Sequence, residues 1–117
     1  MDYKQRHLQS MNFSINKIKS SPVFPFVQEI ILFGSCARGE NKWESDVDIF
    51  VVLLPEIEKY PELRKEIRLL QGTISPTENE LPEVDMKITI GNQWKNDGSF
   101  FHEQILQEGV VLYENNR

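Results

Sequence analysis

Two apolar stretches that carry regularly spaced acids constrain the fold of this chain most strongly. Asp46–Leu54 reads Asp-Val-Asp-Ile-Phe-Val-Val-Leu-Leu, and Glu83–Ile90 reads Glu-Val-Asp-Met-Lys-Ile-Thr-Ile. Successive side chains of a strand point to opposite faces, so Asp46 and Asp48 share one face while the valines and isoleucine between and after them enter a core. Strict alternation in the second stretch predicts a half-buried strand. Both stretches therefore predict strands with carboxylates on one face.

The rest of the chain predicts helices and two further strands. Apolar side chains recur at helical spacing near the start, and turn residues separate the later elements. The predicted elements are an amphipathic helix within residues 1–20 (Leu8, Met11, Ile15 and Ile18), a strand over Val27–Phe33, a helix from Pro61 to Leu70, a helix over Phe100–Glu108 closed by Gly109, and a strand over Val110–Tyr113.

Length and composition set the class of protein. At 117 residues the chain is expected to form one domain over residues 1–117. No apolar run approaches the roughly 20 residues that span a bilayer, and no targeting signal is visible, so we expect no membrane association and a cytoplasmic location. The net charge of −5 argues against broad nucleic-acid binding. It is compatible with a nucleotide substrate, because a bound cation reverses the local sign.

The spacing of acids and glycine indicates phosphate chemistry. Asp46 and Asp48 on one strand face would repel each other unless a cation lay between them, and Mg2+ prefers such oxygens. Upstream, Gly34-Ser35 opens a predicted helix whose free backbone N–H groups suit a phosphate. If the third strand lies beside the second, Asp85 completes a three-carboxylate cluster of the kind that two-metal sites use. The pattern therefore predicts phosphoryl or nucleotidyl transfer.

Several neighbouring residues have two readings. Arg38 is either a surface residue or a ligand for phosphate oxygens. Lys87, two residues after Asp85, either neutralises the carboxylates or contacts a phosphate. We expect His7 and His102 at the surface or at an interface, since neither belongs to a recognisable catalytic triad.

The motifs Gly34-Ser35, Arg38-Gly39, Ser45-Asp46-x-Asp48 and the later Asp85 together resemble the DNA polymerase beta-like nucleotidyltransferase superfamily, and within it the small minimal nucleotidyltransferases. The resemblance implies an α/β (α+β) fold with a small mixed sheet flanked by helices. It also implies that Gly34, Ser35 and Arg38 bind the nucleotide. Asp46, Asp48 and Asp85 would form the catalytic Mg2+ site, with Asp85 also assisting deprotonation of the acceptor.

The same resemblance implies an activity and a partner. The expected reaction transfers a nucleoside monophosphate, AMP from ATP, to an acceptor hydroxyl. In such families the acceptor is often a tyrosine of a small helical toxin of the HEPN type, and the transferase acts as its antitoxin. Two alternatives stay open: an antitoxin that neutralises by docking without catalysis, and an antibiotic nucleotidyltransferase that acts as a homodimer. The expected partner surface is the rim of the Asp85 strand with the loop Asn92–Ser99, where Trp94 is either an interface anchor or part of the core.

Overall fold

The computed structural model describes residues 3–78 and 80–115, which form a four-stranded sheet with helices on both faces. None of the helices in these ranges combines the length and hydropathy that crossing a bilayer requires. The helices are α1 (Tyr3–Lys19), α2 (Gly34–Arg38), α3 (Leu63–Thr73) and α4 (Phe100–Glu108); the strands are β1 (Val27–Phe33), β2 (Val47–Leu53), β3 (Val84–Ile90) and β4 (Val110–Glu114); short 3-10 turns cover Phe24–Phe26, Pro55–Lys59 and Gln93–Lys95.

The sheet is mixed, with the strand order β3-β2-β1-β4. β1 pairs antiparallel with both β2 and β4, whereas β2 and β3 run parallel and are joined through α3. Parallel neighbours need a crossover of this kind, because a tight hairpin reverses the chain direction and so joins only antiparallel strands. The expected mixed sheet flanked by helices is confirmed.

The two sheet faces bury different clusters. We call the side on which Val47, Ile49, Val51 and Leu53 of β2 point the helix-covered face; its cluster takes in Ile18 of α1 and Leu70 of α3. We call the opposite side, with Asp48, Phe50 and Val52, the aspartate face. Its smaller cluster joins β1, β2, the 3-10 turn Gln93–Lys95 and α4 through Ile31, Phe50, Val52, Trp94 and Ile105.

Several predicted boundaries shift. β2 starts at Val47, so Asp46 precedes the strand instead of opening it, and α3 starts at Leu63 instead of Pro61. The short turn Pro55–Lys59 separates β2 from α3. Gly109 ends α4 as predicted. Close packing requires a glycine at this position, because a Cβ there would lie 2.6 Å from Ile31 Cγ2.

The buried side of α1 differs from the predicted apolar stripe. Leu8 is 50% exposed, while Ile18 reaches the core. Four polar side chains of α1 are buried instead: Arg6, His7, Ser10 and Ser14. The expectation of a surface position for His7 is therefore wrong. The physical reason is that the first half of α1 lies over loop backbone, which offers carbonyl acceptors, and only its last turns lie over apolar strand residues.

Trp94 belongs to the core. It is 3% exposed, and its ring lies 4.9 Å from that of Phe50 in an edge-on arrangement. This position rules out the interface-anchor reading for Trp94. The exposed tryptophan is Trp43, whose ring stacks on the Arg6 guanidinium at 3.5 Å.

Candidate active site

The sheet register brings two of the predicted carboxylates side by side. Asp48 of β2 and Asp85 of β3 are directly paired positions in the parallel ladder, so their side chains share the aspartate face. Asp46 lies one residue before β2 and is exposed. Val47 N–H donates to Glu83 O at 2.9 Å, which continues the pairing of the two strands toward Asp46. The predicted cluster is therefore placed at the start of the two parallel strands.

Gly34 meets this carboxylate pair at the junction of β1 and α2. Phe33, the last residue of β1, pairs with Asp48, and α2 begins immediately afterwards. Gly34 has φ +75°, a left-handed conformation that glycine adopts without a steric penalty. A Cβ at Gly34 would clash with a carboxylate oxygen of Asp48 and lie 3.2 Å from its Cγ. The glycine thus lets the backbone approach Asp48 closely.

Ser35 occupies the first turn of α2 and is half-buried. The first N–H groups of a helix have no partner within the helix, so this turn presents donors toward the end of β1. The predicted Gly-Ser turn is therefore present, next to Asp48. Sequence and structure agree on which elements meet here.

Burial and like charges act together on Asp48. Its pKa is raised to about 6, first by burial and then by the negative charges of Asp85 and Asp46, while Lys87 and Arg38 act in the opposite direction. A carboxylate in such surroundings gains from a proton or a cation. Asp48 is therefore the centre of the electrostatic strain in the predicted cluster.

Cys36 faces the same charges from α2. Burial, followed by the charges of Asp48 and Asp46, raises the pKa of its thiol to about 11. The thiol Sγ lies 3.6 Å from Asp46 O, which accepts a weak hydrogen bond. Cys36 therefore remains a neutral thiol and holds the backbone of Asp46; it is not activated as a nucleophile.

The donor set fits a hard divalent cation, although its side chains are not gathered in advance. Within residues 3–78 and 80–115, no three acidic, histidine or cysteine side chains converge into a ready-made metal cluster. Asp85 Oδ1 lies 3.3 Å from Lys87 Nζ, and Asp46 faces solvent. A cation bound at Asp48 would need Asp46 and Asp85 to rotate toward it. Binding of the cation is favourable because all three side chains offer oxygen donors and because the raised pKa of Asp48 shows that its negative charge is poorly compensated.

The two basic side chains near the site, Arg38 and Lys87, both form ion pairs with acidic residues. Arg38 Nε lies 3.2 Å from a carboxylate oxygen of Glu40, and its Nη1 lies 3.1 Å from Glu108 of α4. Lys87 is paired with Asp85, which matches the charge-neutralising reading. Beside Gly34 and Arg38, a cavity of about 140 Å3 separates α2 from α4. A phosphate could reach Arg38 there if the arginine left its acidic partners.

Sequence reasoning missed the polar side of α1. Arg6, His7 and Ser10 are buried and donate to backbone carbonyls in the segments that lead into β2 and β3. The available signal was the four-residue spacing of Arg6, Ser10 and Ser14, which places them on one helix face. Apolar residues at similar spacing masked that signal.

Comparison with known proteins gives consistent results. A family model described as polymerase beta, nucleotidyltransferase, matches residues 15–117. The chain is 33% identical over 87 residues to the "Putative protein adenylyltransferase MJ0604" of Methanocaldococcus jannaschii, an alignment that covers 74% of this chain and 79% of the relative.

Solved structures share the fold at lower identity. The crystal structure of a "putative nucleotidyltransferase" from Sulfolobus solfataricus superposes with a TM-score of 0.63 at 18% identity, covering 98% of this chain and 86% of the other. A toxin–antitoxin structure with AMP-PNP superposes with a TM-score of 0.51 at 22% identity, covering 90% and 73%. These likenesses establish the fold.

Proposed function

The chain belongs to the polymerase beta nucleotidyltransferase family, as a minimal nucleotidyltransferase, and from this premise we propose that it transfers AMP from ATP to a hydroxyl group of a partner protein. One observation carries the proposal: Asp48 and Asp85 are paired across parallel strands where the Gly34 backbone closes on Asp48. This arrangement joins a carboxylate pair to a helix-opening turn that suits phosphate.

In the proposed site, Asp46, Asp48 and Asp85 would hold Mg2+. When bound, the cation supplies charge neutralisation for the triphosphate and lowers the pKa of the attacking hydroxyl. The charges of Asp85 and Asp46 both raise the pKa of Asp48, so the three carboxylates lie near enough to act on one another. Magnesium is proposed because its ligands in proteins are oxygen atoms and phosphates.

The chain's own groups perform the remaining steps. Backbone N–H groups at Gly34 and Ser35 bind the triphosphate, and Arg38 leaves Glu40 and Glu108 to contact it. The acceptor oxygen forms a bond to the α-phosphorus as the bond to the β-phosphate bridge breaks. Pyrophosphate leaves with that electron pair, and Asp85 accepts the hydroxyl proton. Positioning and charge neutralisation supply most of the catalysis.

We propose a protein acceptor, a tyrosine of a small helical toxin of the HEPN type, with this chain as the antitoxin. Two comparisons support this choice: the Methanocaldococcus jannaschii relative is described as a protein adenylyltransferase, and a structure of the same fold is that of a toxin–antitoxin pair with AMP-PNP. A cytoplasmic location follows from this proposal.

The test is incubation of the purified protein with ATP labelled at the α-phosphate, Mg2+ and a candidate partner, followed by mass spectrometry. We expect an AMP adduct on a partner hydroxyl, which Asp48→Asn abolishes. Glu58→Gln is the control, because Glu58 is an exposed acid in the turn Pro55–Lys59, which follows the end of β2 opposite to the carboxylates. The control should keep full transfer.

Two other outcomes would replace the proposal. If both variants neutralise the partner and no adduct forms, the chain is a docking antitoxin. If the protein alone modifies a small antibiotic efficiently and leaves the partner unlabelled, it is an antibiotic nucleotidyltransferase.

A further inference from the structure

The N-terminal half of α1 buries polar side chains where an amphipathic helix usually buries apolar ones. Ser10 is fully buried, and Arg6 and His7 are nearly so. Burial of such groups costs free energy unless each finds a hydrogen-bond partner. The identity of those partners therefore indicates what this side of the helix does.

All three residues donate to backbone carbonyls just upstream of the aspartate-bearing strands. His7 Nε2 lies 2.7 Å from Ser45 O, and Ser10 Oγ donates to Pro82 O at 2.7 Å. Arg6 binds both segments at once, through Nη1 to Trp43 O at 3.1 Å and Nε to Glu80 O at 2.6 Å. The Arg6 guanidinium thus ties the two segments to each other as well as to the helix.

These contacts act close to the carboxylates. Ser45 is the residue before Asp46, and Pro82 lies three residues before Asp85. Asp46 precedes the first residue of β2, so the strand ladder does not itself fix it. Its backbone is held by His7 on one side and by the weak Cys36 hydrogen bond on the other.

We propose that Arg6, His7 and Ser10 are positioning residues that set the spacing between Asp46 and Asp85 and thereby the affinity of the site for a divalent cation. The inference rests on the proposed function for the roles of the two aspartates. None of the three residues touches substrate in this scheme; each acts through the backbone that it holds. Groups that orient metal ligands from the next layer typically change metal affinity roughly 10- to 100-fold when removed.

Ser14 offers a matched control on the same helix. It is fully buried like Ser10, and its hydroxyl lies 3.0 Å from two backbone acceptors, Ile74 O just after α3 and Ser10 O within α1. Ser14→Ala and Ser10→Ala each remove one buried hydroxyl from a carbonyl, so we expect similar losses of thermal stability. They differ in how directly that carbonyl is linked to an aspartate: Pro82 lies three residues before Asp85, whereas Ile74 lies eleven residues before it and is linked to Val84 only through the hydroxyl of Ser75.

The experiment titrates Mn2+ into the full chain with a non-hydrolysable ATP analogue and follows free Mn2+ by electron paramagnetic resonance. Melting temperatures are measured in parallel. We expect Ser10→Ala and His7→Leu to raise the Mn2+ dissociation constant by roughly tenfold, the lower end of the 10- to 100-fold range typical of such groups. Ser14→Ala should raise this dissociation constant clearly less than Ser10→Ala does, despite a similar loss of melting temperature. His7→Gln, whose amide N–H can replace Nε2–H, should recover most of the affinity.

The outcomes distinguish failure of the positioning role from failure of the proposed function. If the unmodified protein binds Mn2+ but all four variants do so equally well, or if Ser14→Ala weakens binding as much as Ser10→Ala, the positioning role is wrong and the proposed function stands. If the unmodified protein binds no Mn2+ in the presence of the nucleotide analogue, the proposed function itself fails and this inference falls with it.

Discussion

The two faces of the sheet are built from the same strands but differ in what covers them. On the helix-covered face, α1 and α3 enclose a continuous apolar cluster along the whole of β2. On the aspartate face, α4 and the turn Gln93–Lys95 cover Phe50 and Val52 and leave Asp48 only half-buried. The cover ends where the carboxylates begin. One face of the sheet therefore serves mainly stability, and the other combines a small core with the carboxylate-bearing end that we propose as the active site.

The difference has an energetic side. Val47 and Ile49 are fully buried among apolar neighbours, whereas Asp48 between them is desolvated beside two other acids. Such an arrangement lowers stability in the absence of a cation. Sites of this kind are typical of proteins that trade some stability for function.

The largest expected effect concerns the small core of the aspartate face. Phe50→Ala should lower the free energy of unfolding by about 3–5 kcal/mol, because the ring packs against Trp94, Phe101 and His102. Ile49→Ala, on the other face, should cost about 2–5 kcal/mol. Denaturant titration measures both, and amide exchange should show α4 loosened by the Phe50 change alone. A Phe50→Ala cost below about 1 kcal/mol would contradict a true core on this face.

A somewhat smaller effect is expected at the junction with Asp48. Gly34→Ala adds a Cβ at φ +75° that meets the Asp48 carboxylate, and should destabilise by about 1–3 kcal/mol and weaken ATP binding. Gly98→Ala is the control, because Gly98 has φ +73° with open space around its Cβ position. Calorimetry with ATP should show a loss for Gly34→Ala only. Equal behaviour of the two variants would make Gly34 a purely conformational requirement.

Asp48 itself should produce a pH-dependent effect. Its pKa is raised from 3.8 to about 6, so between these values the folded protein binds more protons than the unfolded chain. Stability of the metal-free protein must therefore fall as pH rises through this range. A pKa shift of this size corresponds to a loss of about 3 kcal/mol in the free energy of unfolding. Solvent screening around the half-buried carboxylate reduces the expected loss to on the order of 1 kcal/mol.

The matching variant is Asp48→Asn, which should be more stable than the unmodified protein at pH 8 and should lose the fall between about pH 4 and pH 6. Thermal unfolding across pH, without divalent cations, measures the difference. A variant that is less stable than the parent at pH 8 would show that Asp48 carries a structural hydrogen bond instead of a charge penalty.

The smallest expected effect tests Arg38. Glu108→Gln removes one of its acidic partners and should tighten binding of an ATP analogue by a factor of about two to five, because exposed ion pairs are worth about 0.2–1 kcal/mol. Arg38→Ala should weaken it. Calorimetry decides between the two readings of Arg38: if both variants bind as the parent does, Arg38 is a surface link between α2 and α4.

Much of this arrangement could be predicted from the sequence, because strands with period-two patterns fix which side chains share a face. The strand β3 follows directly from such a pattern. The pairing of the Asp48 and Asp85 strands does not: the sequence leaves it as a condition, which the sheet register meets. The start of β2 could not be predicted to the residue, since Asp46 fits the alternation but lies outside the ladder. Pattern reasoning treats buried positions as apolar.

That assumption fails for α1 and for the tryptophans. Arg6, His7 and Ser10 are buried because backbone carbonyls from residues 43–82 lie above them. The spacing of Arg6, Ser10 and Ser14 shows that they share a helix face, but it does not show that backbone acceptors from distant segments cover that face. Likewise, Trp94 is buried because it packs with Phe50 and with Ile105 of α4, whereas Trp43 stays exposed and its ring stacks on the Arg6 guanidinium. Such outcomes depend on packing between distant segments.

The central claim, that the open end of the aspartate face is a metal–nucleotide site, is tested most directly by calorimetric titration of Mg2+ with a non-hydrolysable ATP analogue. The unmodified protein and Glu58→Gln should bind with equal affinity at pH 8, and binding should weaken as the pH falls below about 6, because protons then compete at Asp48. Asp48→Asn should lose nucleotide-dependent Mg2+ binding by at least about tenfold. Undiminished binding by Asp48→Asn would contradict the account.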